Sequence, residues 1–168
     1  MKLHRTIIIL ITMLLPLFSC SRRLETNTVT GQEGQPLPDF ALQLPDSVNF
    51  YHTTDMKQGH QSVFFYFGPD CPHCKDQLQE IKANMNDLQE VQFVLLTGES
   101  FNGMKRFYQE NKLSEYPNVI TGRDTANFFG KHYQVTAYPF LAFYNKKKLL
   151  RMAFSGRMTI EKFMSTVN

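Results

Sequence analysis

A run of apolar residues that stops at a Gly-Pro break and passes at once into two cysteines constrains this chain more than any other feature. The stretch reads FFYFGPDCPHCKDQLQEIK, from Phe64 to Lys82. Ser62 to Phe67 is apolar at nearly every position, the pattern of a strand covered on both faces, as parallel sheets require. Gly68 and Pro69 end it, and Asp70 stands where a helix cap can stand. Pro72 suits the first turn of a helix, where its missing N–H costs nothing. Leu78, Ile81, Met85 and Leu88 then fall three to four apart, which predicts one face of an amphipathic helix.

The same alternation continues along the chain. Pro38 to Leu44 and Val48 to His52 read as short strands, and Val91 to Thr97 as a second buried strand. Asn102 to Leu113 reads as a helix, Asn118 to Thr121 as a brief strand, and Asp124 to Tyr133 as a short helix. Phe140 to Asn145 and Leu149 to Ser155 predict an antiparallel hairpin around a solvated Lys146–Lys148 turn. Thr159 to Val167 closes the chain as a helix with Thr159 as its cap. The fold class is therefore α/β, a mixed sheet flanked by helices on both faces. Phe128, Phe129, Phe140 and Phe143 belong to its core.

A chain of 168 residues is one domain on length alone. Its net charge of +3 is too mild for a nucleic-acid partner, and no nucleic acid is expected. The N-terminus, MKLHRTIIILITMLLPLFSC, is an address rather than fold. Lys2 and Arg5 precede an apolar stretch from Ile7 to Phe18, too short to span a bilayer and of the length of an export signal. Leu17, Ser19 and Cys20 resemble the lipobox of bacterial lipoproteins, in which the cysteine is acylated and becomes the mature N-terminus. An ordinary cleaved signal, or a short anchor with Cys20 incidental, is the plainer alternative. The organisation read from this is a signal over 1–19, lipidated Cys20 and a polar flexible tether over 20–35, and a domain over 36–168.

Cys71 and Cys74 lie two residues apart, a spacing that fits a zinc half-site, a disulfide staple or a redox pair. Zinc wants two further Cys or His ligands at useful spacing. The domain has no third cysteine, and His52, His60, His73 and His132 are scattered singly. A staple closing so small a loop removes little chain entropy. The reactive reading is better supported. A cysteine at a helix N-terminus meets unpaired N–H groups and the positive end of the dipole, which favour a thiolate. A second cysteine one turn on can resolve a mixed disulfide. No metal and no cofactor beyond the Cys71–Cys74 pair is expected.

These residues resemble the thioredoxin superfamily. FFYFGPDCPHCK is similar to its strand-to-helix active-site segment, and VTAYPFLAFYNKKKLL to the later segment that carries its cis-proline. The opening GQPLPDFAL is similar to the redoxin branch, which includes the membrane-tethered TlpA-type thiol oxidoreductases of bacterial envelopes. The resemblance spans Gly34 to Asn168. It implies a thioredoxin-like fold, Cys71 as nucleophile, Cys74 as resolving thiol and Pro139 as the cis-proline. Tyr138 would offer backbone groups to a substrate strand, and Pro72 and His73 would support the site. It further implies client proteins with cysteines or disulfides, an envelope electron-transfer partner, and attachment to the membrane through Cys20 on the periplasmic side.

Two departures stand out. Asp70 replaces the tryptophan that many thioredoxins carry before the first cysteine, and an anion there opposes ionisation of its neighbour. The family's buried acid would fall near Phe65 and is absent; Asp70, Asp76 and Glu80 could replace it, although each is expected to be solvated. The Pro72-His73 pair resembles that of the oxidant DsbA, which favours an oxidising or isomerising role, but the sequence leaves the direction of electron flow open. A peroxidase of the redoxin branch would carry a hydroxyl residue where Gly68 stands. A copper-delivery protein on the same fold, using Cys71, Cys74 and His132, is the main alternative. An inert staple in a tethered binding module is a third.

Overall fold

The computed structural model describes residues 27–167, so the signal segment and Cys20 lie outside the described residues. Every side chain of β3 (Ser62–Tyr66) is buried, and the strand sits inside a seven-stranded sheet. The other strands are β1 (Ala41–Gln43), β2 (Phe50–His52), β4 (Gln92–Thr97), β5 (Val119–Arg123), β6 (Phe140–Tyr144) and β7 (Leu150–Ser155). Their order is β2-β1-β5-β4-β3-β6-β7. β3, β4 and β5 run parallel, while β6 and β7 form an antiparallel hairpin beside β3, and β1 and β2 form another beside β5.

The continuous apolar run follows from two cores. Val63, Phe65 and Phe67 point to one face of the sheet, where α1 (Pro72–Ala83), α2 (Phe101–Glu110) and α4 (Ile160–Val167) supply Leu78, Ile81, Phe107 and Phe163. Phe64 and Tyr66 point to the other face and meet Phe129 and Tyr133, from α3 (Phe128–His132) and the residue after it. A strand with a period of two needs apolar residues at every position when both faces are covered. This is the mixed α/β, thioredoxin-like fold. Phe129, Phe140 and Phe143 are buried, and Phe128 packs partly buried at the edge of the second core.

Three sequence expectations are corrected. The predicted amphipathic helix ends at Ala83, and Met85 and Leu88 continue the same buried face in a tighter 3-10 turn, Met85–Leu88. Asn84 breaks the helix: its side chain donates to the Glu80 carbonyl at 2.8 Å. The Lys146–Lys148 turn is not wholly solvated, because Lys148 is only 6% exposed. Its backbone is left-handed (φ 58°), and its Nζ donates to the His60 carbonyl, Ser62 Oγ and Gln92 Oε1 at 3.0, 2.5 and 3.1 Å. Finally, the segment read as flexible tether is bound from Thr28 onward. Thr28 N–H donates to Ala153 O, and Gly34 N–H to Leu150 O, both at 2.8 Å. Main-chain bonds to the open edge of β7 need no apolar side chains, so composition gave no sign of them. Among the described residues no helix is long and apolar enough to cross a membrane.

Candidate active site

The end of β3 delivers the chain to the start of α1 through a tight connection. Phe67 N–H still donates to Leu96 O at 2.9 Å, and Cys71 N–H turns back to Gly68 O at 3.0 Å. Cys71 itself occupies the N-cap, with extended backbone, and its sulfur accepts from the N–H of Cys74 at 3.3 Å. Pro72 follows at the first helical position, where no N–H is required. The cap is therefore the cysteine and not Asp70. Asp70 points away to Arg106 of α2, Oδ1 to Nη2 at 2.6 Å.

The two sulfurs differ in setting. Cys71 is partly exposed, whereas Cys74 is 0% exposed and packs in the first core. Burial pushes the Cys74 thiol well above its ordinary range, and its hydrogen bond to Cys71 adds to the shift. Both thiols are free in this structure. His73 is exposed on the first turn.

The segment before β6 closes over the same point. The Tyr138–Pro139 peptide is cis. A Cβ on Gly68 would stand 2.9 Å from Tyr138 Cδ2 and 3.4 Å from Cys71 Cβ, so the tyrosine ring and the cysteine flank one glycine. Tyr138 also lies against Tyr66, centroids 5.5 Å apart, and its hydroxyl donates to Glu99 at 3.4 Å. Burial and the nearby Glu99 carboxylate raise the pKa of the Tyr138 phenol. Cys71, Cys74 and Tyr138 thus come together, and Pro139 follows Tyr138 across the cis bond. His132 does not join them; it stacks on Phe128, centroids 5.4 Å apart. Among the described residues no three His, Cys, Asp or Glu side chains form a metal-holding group.

Other polar residues of this region escaped sequence reasoning. Gln77, one turn after Cys74, is 0% exposed, and its Oε1 accepts from Met158 N–H at 2.7 Å. Its signal was a polar residue next to the Leu78–Ile81 face. Asp76 is exposed as expected and Glu80 is part-buried, and both pair with Arg157. The second Glu80 oxygen is buried without a protein partner. Arg157 and Arg106 carried no local signal, since their partners lie far away in the chain.

The chain belongs to the AhpC/TSA family, whose model matches residues 33–152. Its fold is that of thioredoxin-like proteins. Similar solved structures include a secreted Mycobacterium tuberculosis disulfide oxidoreductase homologous to E. coli DsbE, at 17% identity and a TM-score of 0.63, covering 76% of this chain and 93% of that one. The pneumococcal exposed lipoprotein thioredoxin of Streptococcus pneumoniae is 23% identical with a TM-score of 0.60, covering 77% and 98%. Peroxidoxin BcpB of M. tuberculosis is 11% identical with a TM-score of 0.66, covering 81% and 96%. No protein of curated function matches the chain in sequence.

Proposed function

We propose that this protein is a thiol–disulfide oxidoreductase that exchanges disulfides with client proteins through Cys71 and Cys74. The observation that carries the reading is the asymmetry of the pair: an accessible sulfur at the helix N-cap, backed by a buried thiol one turn inside. Family membership and the thioredoxin-like fold support it.

In the reducing direction, the Cys71 thiolate attacks a client disulfide, forms a mixed disulfide and displaces one client thiolate. That thiolate is protonated as Cys74 gives up its proton. The Cys74 sulfur then attacks Cys71, the mixed bond breaks, and the second client thiolate takes a proton from solvent. Two electrons pass to the client, and the Cys71–Cys74 disulfide remains. The oxidising direction is the reverse. Tyr138 and Pro139 would line the client against Cys71, with Pro72 and His73 on the exposed first turn.

The organisation proposed around this chemistry is an envelope protein held to the membrane through acylated Cys20, with an envelope electron-transfer partner to reset the pair. A copper-delivery role finds no support in the geometry, because Cys71, Cys74 and His132 form no metal-holding group among the described residues. A peroxidase role lacks the hydroxyl residue at position 68. The deciding experiment is trapping: Cys74→Ala should accumulate mixed disulfides with clients, and Cys71→Ser should accumulate none. Equal capture by both variants would remove the proposal. The measured potential of the Cys71–Cys74 couple then assigns the direction.

A further inference from the structure

Three consecutive residues after β7 reach to the Pro139 segment and to the stretch of α1 that follows Cys74. Gly156 N–H donates to the Pro139 carbonyl at 2.7 Å. Arg157 pairs with Glu80 and, at 3.6 Å, with Asp76, both on α1. Met158 N–H donates to Gln77 Oε1, and the Met158 side chain is buried in the core that also holds Cys74 and Leu78. Gly156 has φ +95°, a conformation in which side chains are strained, and that turn sends the next two residues towards the helix.

Gln77 shows why this contact is more than packing. Its Nε2 is buried without a partner, and an unmatched buried donor costs stability. An apolar residue on this core face would avoid that cost but would leave the Met158 N–H without its acceptor. The amide is thus spent on a bond to the same segment that holds Pro139.

We propose that Gly156–Met158 is a brace that fixes the middle of α1, the turn that follows Cys74, against Pro139, with Gln77 and Arg157 as positioning residues for exchange with extended clients. The inference rests on the oxidoreductase reading. A small reagent needs only the Cys71 sulfur, whereas an extended chain must meet Cys71 and the Tyr138–Pro139 segment in one register. Loosening the brace therefore slows the second reaction and spares the first.

The test uses the full chain with Gln77→Met, Arg157→Ala and Arg157→Lys. Two rates are followed: alkylation of Cys71 by iodoacetamide, and exchange with an intermolecular disulfide of a ten-residue peptide. Urea unfolding confirms that each variant is folded, and amide hydrogen exchange reports on Gly156 N–H. Gln77→Met and Arg157→Ala should slow peptide exchange at least five-fold while alkylation stays within two-fold, and Arg157→Lys should recover most of the loss. Gly156 N–H, whose own partner is untouched, should lose at least ten-fold protection in Gln77→Met. Peptide exchange within two-fold of wild type, or a parallel fall in both rates, overturns the brace. If wild type is alkylated but exchanges with no peptide, the oxidoreductase reading fails, and Gly156 protection alone then decides whether the brace exists.

Discussion

The sulfur of Cys71 accepts a hydrogen bond from the backbone N–H of Cys74, 3.3 Å away, so the residue proposed to react is also the cap of its own helix. Cap and thiol are coupled in one side chain. Serine keeps an oxygen acceptor at the cap, while alanine removes it. Cys71→Ala should therefore lose about 0.5–1 kcal/mol more stability than Cys71→Ser in urea unfolding, with exchange abolished in both. Equal stabilities would show that the sulfur contributes nothing as a cap.

Asp70 and Arg106 form an exposed pair that ties α2 to the residue before the nucleophile. Removing the guanidinium leaves a lone anion beside Cys71. Arg106→Ala should slow iodoacetamide alkylation about two-fold at low salt, the scale of an exposed pair. Salt near 1 M should erase the difference, because screening then acts within about 3 Å. Asp70→Asn in the Arg106→Ala background should restore the rate. A loss that persists in the double variant would mean that Arg106 acts through packing.

Gly68 has no room for a methyl group between Tyr138 and Cys71. Gly68→Ala should cost about 1–3 kcal/mol by overpacking. The cost should shrink when Tyr138→Ala is added, and that interaction is what a double-mutant cycle measures. Additive losses would place the strain elsewhere.

Lys148 predicts a pH dependence. Burial lowers its pKa to about 8, below the ordinary value of 10.5. Between these values the folded protein has released a proton that the unfolded chain still holds, so stability contributed at this site rises with pH. It is fully present above about 10.5 and lost as pH falls to 8. Relative to Lys148→Met, wild type should gain up to roughly 3 kcal/mol across that window, read from urea midpoints at each pH. Other groups titrate there too, but they cancel in the difference. A constant difference would show that the three acceptors of Lys148 hold its proton as firmly as water does.

Local pattern accounts for much of what was read from the chain. The apolar run at Ser62–Phe67, the Gly-Pro break and Pro72 are neighbours in sequence, and the rules that turn them into strand, turn and helix act over a few residues. The alternation of such segments is enough for an α/β sheet with helices on both faces. The adjacency of Cys71 and Cys74 across one helical turn is legible for the same reason. What needed three dimensions is every relationship made across the chain. Gln77 meets Met158 over 81 residues, Lys148 meets Ser62 over 86, and Asp70 leaves the cap position for Arg106 over 36. A polar side chain has no periodicity to announce such a partner, because its bond depends on where another segment ends rather than on its own neighbours. The main-chain pairing of Thr28 and Gly34 with β7 is silent for a related cause: backbone groups are the same in every residue.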